Sequence, residues 1–208
     1  MDKKLYIHIH IPKTAGCFVR ELRAPKVFYP ELENVNAGLK YHFTVKFLKK
    51  YLPAACDEKV GIFAIVRNPY DRVYSLWKWL SRDVRDGGGG VFGEIYQPLI
   101  TDDFETFVRD LCSDYYLGYY GVQSQLYYIK GHEDLNFEFF KLEETEKLKD
   151  FLVDSCGATW SDKKVNESPG QDYRTVYTPE LADLVKNYFA EEFEFFGYPV
   201  DLAAPPVN

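Results

Sequence analysis

Leu5-Tyr6-Ile7-His8-Ile9-His10-Ile11-Pro12-Lys13-Thr14-Ala15-Gly16-Cys17-Phe18 opens the chain. From Leu5 to Ile11 the residues alternate strictly. Leu5, Ile7, Ile9 and Ile11 fall on one face and Tyr6, His8 and His10 on the other, the period of two that marks a strand. Pro12 ends the run, because its ring nitrogen has no hydrogen to give to a ladder. Lys13 to Cys17 follow as a short turn of small residues. Phe18 to Arg23 then reads as a helix stopped ahead of Pro25. The unit is strand, tight turn, helix.

The same unit recurs further along. Val60 to Val66 (VGIFAIV) is a continuous apolar run, suited to a strand buried on both faces of a parallel sheet. Arg67 ends it, Asn68 is placed to cap a helix and Pro69 to begin one, so Tyr70 to about Arg82 is predicted helical, with Tyr70, Val73, Trp77 and Leu80 near one face. Between the two units Phe43, Phe47, Leu48 and Tyr51 recur at helical spacing, with His42 near that helix's start. Gly87 to Gly90 predict a loop. Phe104, Phe107, Val108 and Leu111 mark a further helix. Asn136 to Leu142 reads as a third strand leading into a helix through Leu148, Phe151 and Leu152. The last helix has Thr178 as cap, Pro179 first, an apolar stripe of Leu181, Leu184, Val185, Tyr188 and Phe189, and its end by Gly197. No internal repeat is present. Strands alternating with helices predict an α/β protein of three layers around a central parallel sheet.

At 208 residues the chain suits one domain, predicted over residues 1–200 with a tail at 201–208. Its 46% hydrophobic and 27% charged residues are those of a globular protein. With 25 Lys and Arg against 32 Asp and Glu, the formal net charge of −7 disfavours nucleic acid and anionic membrane as partners, and any anionic ligand must be held by local positive charge. No stretch approaches the roughly 20 apolar residues of a membrane span, and the N-terminus lacks a signal peptide's apolar region, so a cytoplasmic form or an excised catalytic domain is expected. Cys17, Cys56, Cys112 and Cys156 are scattered without a CxxC pair or a neighbouring His at ligand spacing, which predicts free thiols and no metal site. Aromatic residues make up 17%, including 17 Tyr and 16 Phe, and most of these must fill core.

In an open parallel sheet, ligands bind beyond the carboxyl ends of the strands. Both strand-helix units place a cation there, Lys13 after the first strand and Arg67 after the second. Lys supplies a point charge and Arg a planar fork, which together suit a phosphate-bearing ligand. Neither the G-x-x-x-x-G-K-[ST] loop of ordinary nucleotide kinases nor the G-x-G-x-x-G of dinucleotide folds occurs.

His10 through Cys17 resembles the 5'-phosphosulfate loop of the sulfotransferases, and Val66-Arg67-Asn68-Pro69-Tyr70-Asp71-Arg72-Val73-Tyr74-Ser75 resembles their 3'-phosphate motif. The likeness is to the carbohydrate, Golgi-type branch that holds the heparan 2-O- and chondroitin sulfotransferases and many bacterial and viral relatives. Glu143, Asn166, Ser168 and the segment from Tyr177 to Tyr198 are similar to the same branch. The resemblance implies a sheet of nucleotide-kinase type, 3'-phosphoadenosine 5'-phosphosulfate (PAPS) as donor, 3'-phosphoadenosine 5'-phosphate (PAP) as product, no metal, and a hydroxyl-bearing acceptor, a glycan above all. It implies that Lys13 neutralises charge on the bridging oxygen, that the backbone N-H groups of Thr14, Ala15, Gly16, Cys17 and Phe18 hold the nonbridging oxygens, and that Arg67 and Ser75 bind the 3'-phosphate. One residue departs from the pattern: the family usually carries Ser or Thr where Cys17 stands, and a thiol is a weaker donor.

Transfer to a hydroxyl needs a base, a contribution of roughly 10²- to 10⁴-fold when the base is well placed. The four histidines are the candidates. His42, in Tyr41-His42-Phe43-Thr44, resembles the branch's catalytic histidine segment and comes first; His10, nearer the loop than His8, is second; His132 lies in a polar turn. Tyr115, Tyr116, Tyr119, Tyr120, Tyr127 and Tyr128 offer flat faces on which a sugar could stack, or else core. Arg20, Arg23, Lys26, Lys163, Lys164 and Arg174 could guide an anion, or else be solvated surface. Two other functions stay open at this point: a P-loop-like kinase or phosphotransferase, and a non-catalytic binding protein on the same fold.

Overall fold

The computed structural model of the chain describes residues 4–29, 42–81, 100–113, 120–160 and 172–202. Four strands, β1 (Leu5–Ile9), β2 (Val27–Phe28), β3 (Val60–Val66) and β4 (Phe137–Lys141), form one sheet in the order β2-β1-β3-β4. Every pairing is parallel. The helices are α1 (Gly16–Glu21), α2 (Val45–Tyr51), α3 (Pro69–Trp79), α4 (Phe104–Leu111), α5 (Gln125–Ile129), α6 (Thr145–Asp150), α7 (Pro179–Tyr188) and α8 (Ala190–Phe196). The protein is therefore α/β with an all-parallel sheet flanked by helices. Two compact units divide the chain: Met1–Val66, Gln125–Asn166 and Asn208 make the first, Arg67–Ser124 and Glu167–Val207 the second.

The first unit holds the sheet. Register pairs His8 with Phe63 and Ile9 with Ala64, so the carboxyl ends of the two central strands lie side by side. As its apolar run predicts, β3 is buried from Gly61 onward; β1, whose residues alternate, is buried from Tyr6 onward as well. One face carries Tyr6, Phe63 and Ile65, packed with Val19 of α1, Leu148 of α6, and Leu152 and Cys156 beyond it. Phe151 stacks on Phe140 at 4.3 Å and meets Phe63 and Tyr6 edge-on. Such edge and offset contacts suit the quadrupoles of the rings. On the other face Ile7, Ile9, Ile62, Ala64 and Val66 are buried as well.

The second unit is helical and its core is aromatic. Phe104 of α4 contacts Tyr74 and Trp77 of α3 and Tyr177 ahead of α7. Tyr70 packs on Tyr177 and on Phe193 of α8. The polar tips are bonded: the Tyr177 hydroxyl donates to the Tyr70 carbonyl at 2.9 Å, and the Tyr70 hydroxyl to that of Val200 at 2.8 Å. Burial pushes the Tyr70 phenol up to about 12 and that of Tyr177 well above its ordinary value.

Side-chain caps start several of the helices. Asn68 Oδ1 accepts from Tyr70 N-H at 2.9 Å, Thr44 Oγ1 from Phe47 N-H at 3.1 Å, and Thr178 Oγ1 from Leu181 N-H at 3.2 Å. Two expectations need correction, and one strand was not foreseen. The first helix spans Gly16–Glu21 and not Phe18 to Arg23, since Arg23 adopts φ 48°, a value outside any right-handed helix. The helix predicted to run from Pro179 to Gly197 is two, broken at Phe189 (φ −106°, ψ 24°). With the break in place Leu181, Val185, Phe189, Phe193 and Phe196 are all buried. Strand β2 had no sequence signal; two residues are strand only because β1 pairs with them. The predicted glycine loop at 87–90 lies outside the described residues. Among the described residues no helix is long and apolar enough to cross a membrane.

Candidate functional site

In the first unit β1 delivers the chain into a turn of unusual backbone. Lys13 has φ 67° and Ala15 φ 64°, whereas Thr14 and Gly16 between and after them have negative φ. Left-handed conformations are adopted by few non-glycine residues, and a Cβ makes them unfavourable by about 1–2 kcal/mol each. Alternation of handedness over successive residues aims their N-H groups into one concavity, the kind of nest that holds anions. Thr14 is fully buried and its hydroxyl donates to the Ile11 carbonyl at 2.9 Å, which closes the turn. Cys17 lies at the start of α1, and its sulfur accepts a bond from Arg20 Nη2 at 3.3 Å. No two of the four cysteines are joined.

Three imidazoles gather behind this turn. His8 and His10 project from the same face of β1, as alternation requires, with ring centroids 5.7 Å apart and stacked. His10 and His42 are closer, at 4.2 Å. His42 Nδ1 lies 2.9 Å from the His10 carbonyl oxygen. A carbonyl only accepts, so Nδ1 carries the hydrogen, and the lone pair of neutral His42 sits on Nε2, the nitrogen a base would use. Burial lowers the pKa of His42 below its ordinary value, the His10 carbonyl partly opposes this, and the Arg20 charge adds to it. His8 is lowered to about 3 by burial, then by His42 and Arg20. His10 is lowered well below its usual value by burial, then by His42, His8, Arg20 and Lys13. All three are therefore neutral at pH 7. Among the described residues no group of His, Cys, Asp and Glu is arranged to hold a metal ion.

Gly16 is where the turn meets these rings. A Cβ built there would lie 1.8 Å from Cδ2 and 2.1 Å from Nε2 of His10, so only glycine allows the imidazole against the turn. Sequence reasoning placed Gly16 in the loop but gave it no such neighbour.

Arg67 opens the second unit directly after Val66. Its Nε and Nη2 each donate to Asp71 at 2.8 Å, a two-pronged contact one turn into α3. Ser75 lies a turn further along α3 and is buried. The guanidinium thus turns to Asp71 and not to the Ser75 hydroxyl. Sequence reading passed over Arg72, which is buried and donates from Nη2 to the carbonyls of Gln123 at 2.8 Å and Gly121 at 3.4 Å. Its position five residues into the Arg67 motif was the available signal.

The remaining candidates divide. His132 Nδ1 bonds the Ile129 carbonyl at 3.1 Å in a turn of the first unit, with Phe137 against its ring. Tyr128 is fully buried core, and Tyr127 is exposed. Lys26 donates to the Ser155 carbonyl at 2.9 Å and Arg174 contacts Asp172, both structural uses. Tyr115, Tyr116, Tyr119, Lys163, Lys164, Asn166 and Ser168 lie outside the described residues, as does the side chain of Tyr120. No protein-family model matches the chain, and no curated protein does.

Proposed function

We propose that the chain is a sulfotransferase that moves a sulfuryl group from PAPS to a hydroxyl of a carbohydrate acceptor, on a fold of the P-loop-kinase type. The observation that supports this best is the meeting, in one unit, of a turn with left-handed Lys13 and Ala15 and a neutral His42 whose lone pair is directed to Nε2 by the His10 carbonyl. An anion nest alone suits any phosphate ligand. A neutral base beside it suits removal of a proton from an attacking hydroxyl.

On this reading the N-H groups of Thr14, Ala15, Gly16, Cys17 and Phe18 bind the nonbridging oxygens of the 5'-phosphosulfate, and the Lys13 ammonium neutralises charge on the bridging oxygen as it leaves. Arg67 and Ser75 take the 3'-phosphate, with Asp71 holding the plane of the guanidinium through Nε and Nη2. The acceptor oxygen attacks sulfur, the bond from sulfur to the bridging oxygen breaks, PAP departs with that electron pair, and His42 Nε2 takes the hydroxyl proton. His10, its pKa pushed further down, is the poorer base.

Binding separates this function from its main rival. PAP should raise the melting temperature, by the equivalent of about 2.7 kcal/mol at a hundredfold excess over Kd, and ATP with Mg²⁺ should not. The reverse pattern would point to a kinase. With labelled donor and a glycan panel, His42→Ala should lower kcat at least 10²-fold with PAP affinity nearly unchanged. Binding of PAP without transfer to any acceptor would leave only a nucleotide-binding protein.

A further inference from the structure

His10 belongs to both halves of the site. Its ring lies against Gly16 of the turn, closely enough that a single added methyl would overlap it at 1.8 Å. Its carbonyl, one peptide away, accepts the Nδ1 hydrogen of His42. Between these two contacts there is little freedom, because the preceding residues of β1 are fixed by the parallel ladder as far as Ile9 opposite Ala64. The ring is also clasped, with His42 at 4.2 Å and His8 at 5.7 Å. Its Nδ1 is buried and has no hydrogen-bond partner among the described residues. The contacts of the ring are thus with Gly16 and the neighbouring imidazoles.

We propose that His10 is the positioning residue that registers the base to the anion loop: its flat ring, seated on Gly16, sets the direction of its own carbonyl, and that carbonyl fixes the tautomer and orientation of His42. The proposal rests on His42 being the base of the function above. Its structural content, that the seat on Gly16 controls the His42 tautomer, is measurable without turnover.

The test uses imidazole ¹⁵N NMR of the full chain at neutral pH. In the unmodified protein the His42 Nδ1 resonance should be that of a protonated nitrogen and Nε2 that of a lone-pair nitrogen. Gly16→Ala, which displaces the ring, and His10→Ala, which removes it, should each turn this single tautomer into a mixture, with the protected Nδ1 hydrogen lost. His10→Phe keeps a flat ring without nitrogens and should restore the Nδ1-H form. Should Gly16→Ala fail to fold, the His10 pair carries the comparison. An unchanged His42 tautomer in His10→Ala would overturn the proposal. So would failure of His10→Phe to restore it, since the ring would then act through its nitrogens. Where PAPS turnover is measurable, His10→Ala should lower kcat about tenfold or more with the KM for donor little altered, and His10→Phe should recover most of it. Absence of PAP binding in the unmodified chain would refute the sulfotransferase reading and leave the tautomer result standing, so the two failures are distinct.

Discussion

The His8 imidazole is fully buried between Phe63, whose ring it stacks on at 4.8 Å, and His10. Its Nδ1 is 3.1 Å from the Tyr29 hydroxyl, while Nε2 has no partner among the described residues. A bonded pair of this kind contributes about 1 kcal/mol, and an unmet buried nitrogen costs about 1–3 kcal/mol. The second exceeds the first, and the half-buried Tyr29 can turn its hydroxyl to water. His8→Leu, similar in volume, should therefore leave the protein as stable or more so by about 1 kcal/mol. A urea midpoint that falls by the equivalent of more than about 1 kcal/mol would show His8 to be a net stabiliser. A second residue prediction concerns Cys17 and rests on the proposed function: the sulfotransferase loop that this turn resembles usually has Ser or Thr there. A hydroxyl donates more strongly than a thiol, so Cys17→Ser should tighten PAP binding about two- to fivefold, the equivalent of about 0.5–1 kcal/mol. Unchanged affinity by calorimetry would mean that the backbone alone holds the 5' end.

Among the elements, α3 engages two arginines in different settings. Its N-terminal turn carries Arg67 on Asp71, and its buried side sends Arg72 to the carbonyls of Gly121 and Gln123. Losing a charged donor to these two carbonyls removes charge-assisted bonds, so Arg72→Met should lower the stability of the second unit by about 2–3 kcal/mol. Pulse proteolysis with cleavage sites mapped to α3 and the 121–123 turn would measure it, and a loss below about 1 kcal/mol would mean that the carbonyls find other donors. Elements of this sort were legible where the signal is local. The alternation of β1, the apolar run of β3 and the caps Asn68 and Thr178 are all written in adjacent residues. The strand β2 and the break at Phe189 were not, since pairing and packing with distant segments decide them. The site divides in the same way. Alternation put His8 and His10 on one face, and their places at the carboxyl ends of two strands singled out Lys13 and Arg67. But positive φ at Lys13 and Ala15 is imposed by the turn on residues with no preference for it, and the bond between His42 and His10 spans 32 positions that no spacing rule connects.

At the scale of the molecule, three buried neutral histidines in one unit make its stability depend on pH. In the unfolded chain each would titrate near 6.5, whereas His8 in the fold titrates at about 3 and His10 and His42 also below their ordinary value. Below pH 6.5 the unfolded state therefore binds more protons than the folded one, and stability must fall as pH falls. The sign is that of a depressed folded pKa: the contribution is whole above pH 6.5 and is lost progressively as pH drops toward the folded value. For each histidine that stays neutral the loss is about 1.4 kcal/mol per pH unit, so His8 alone should remove about 2 kcal/mol between pH 6.5 and 5, with His10 and His42 adding in the same direction. Hydrogen exchange at the amides of β1 and β3 should show this fall with intrinsic exchange corrected for pH. His8→Leu should reduce the slope by about its share, and by the same subtraction should gain more over the unmodified chain at pH 5 than at pH 7. A slope near zero between pH 6.5 and 5, or one that His8→Leu leaves unaltered, would mean that water or a bound anion already compensates the imidazoles in the folded state, and the electrostatic case for a neutral His42 base would fall with it.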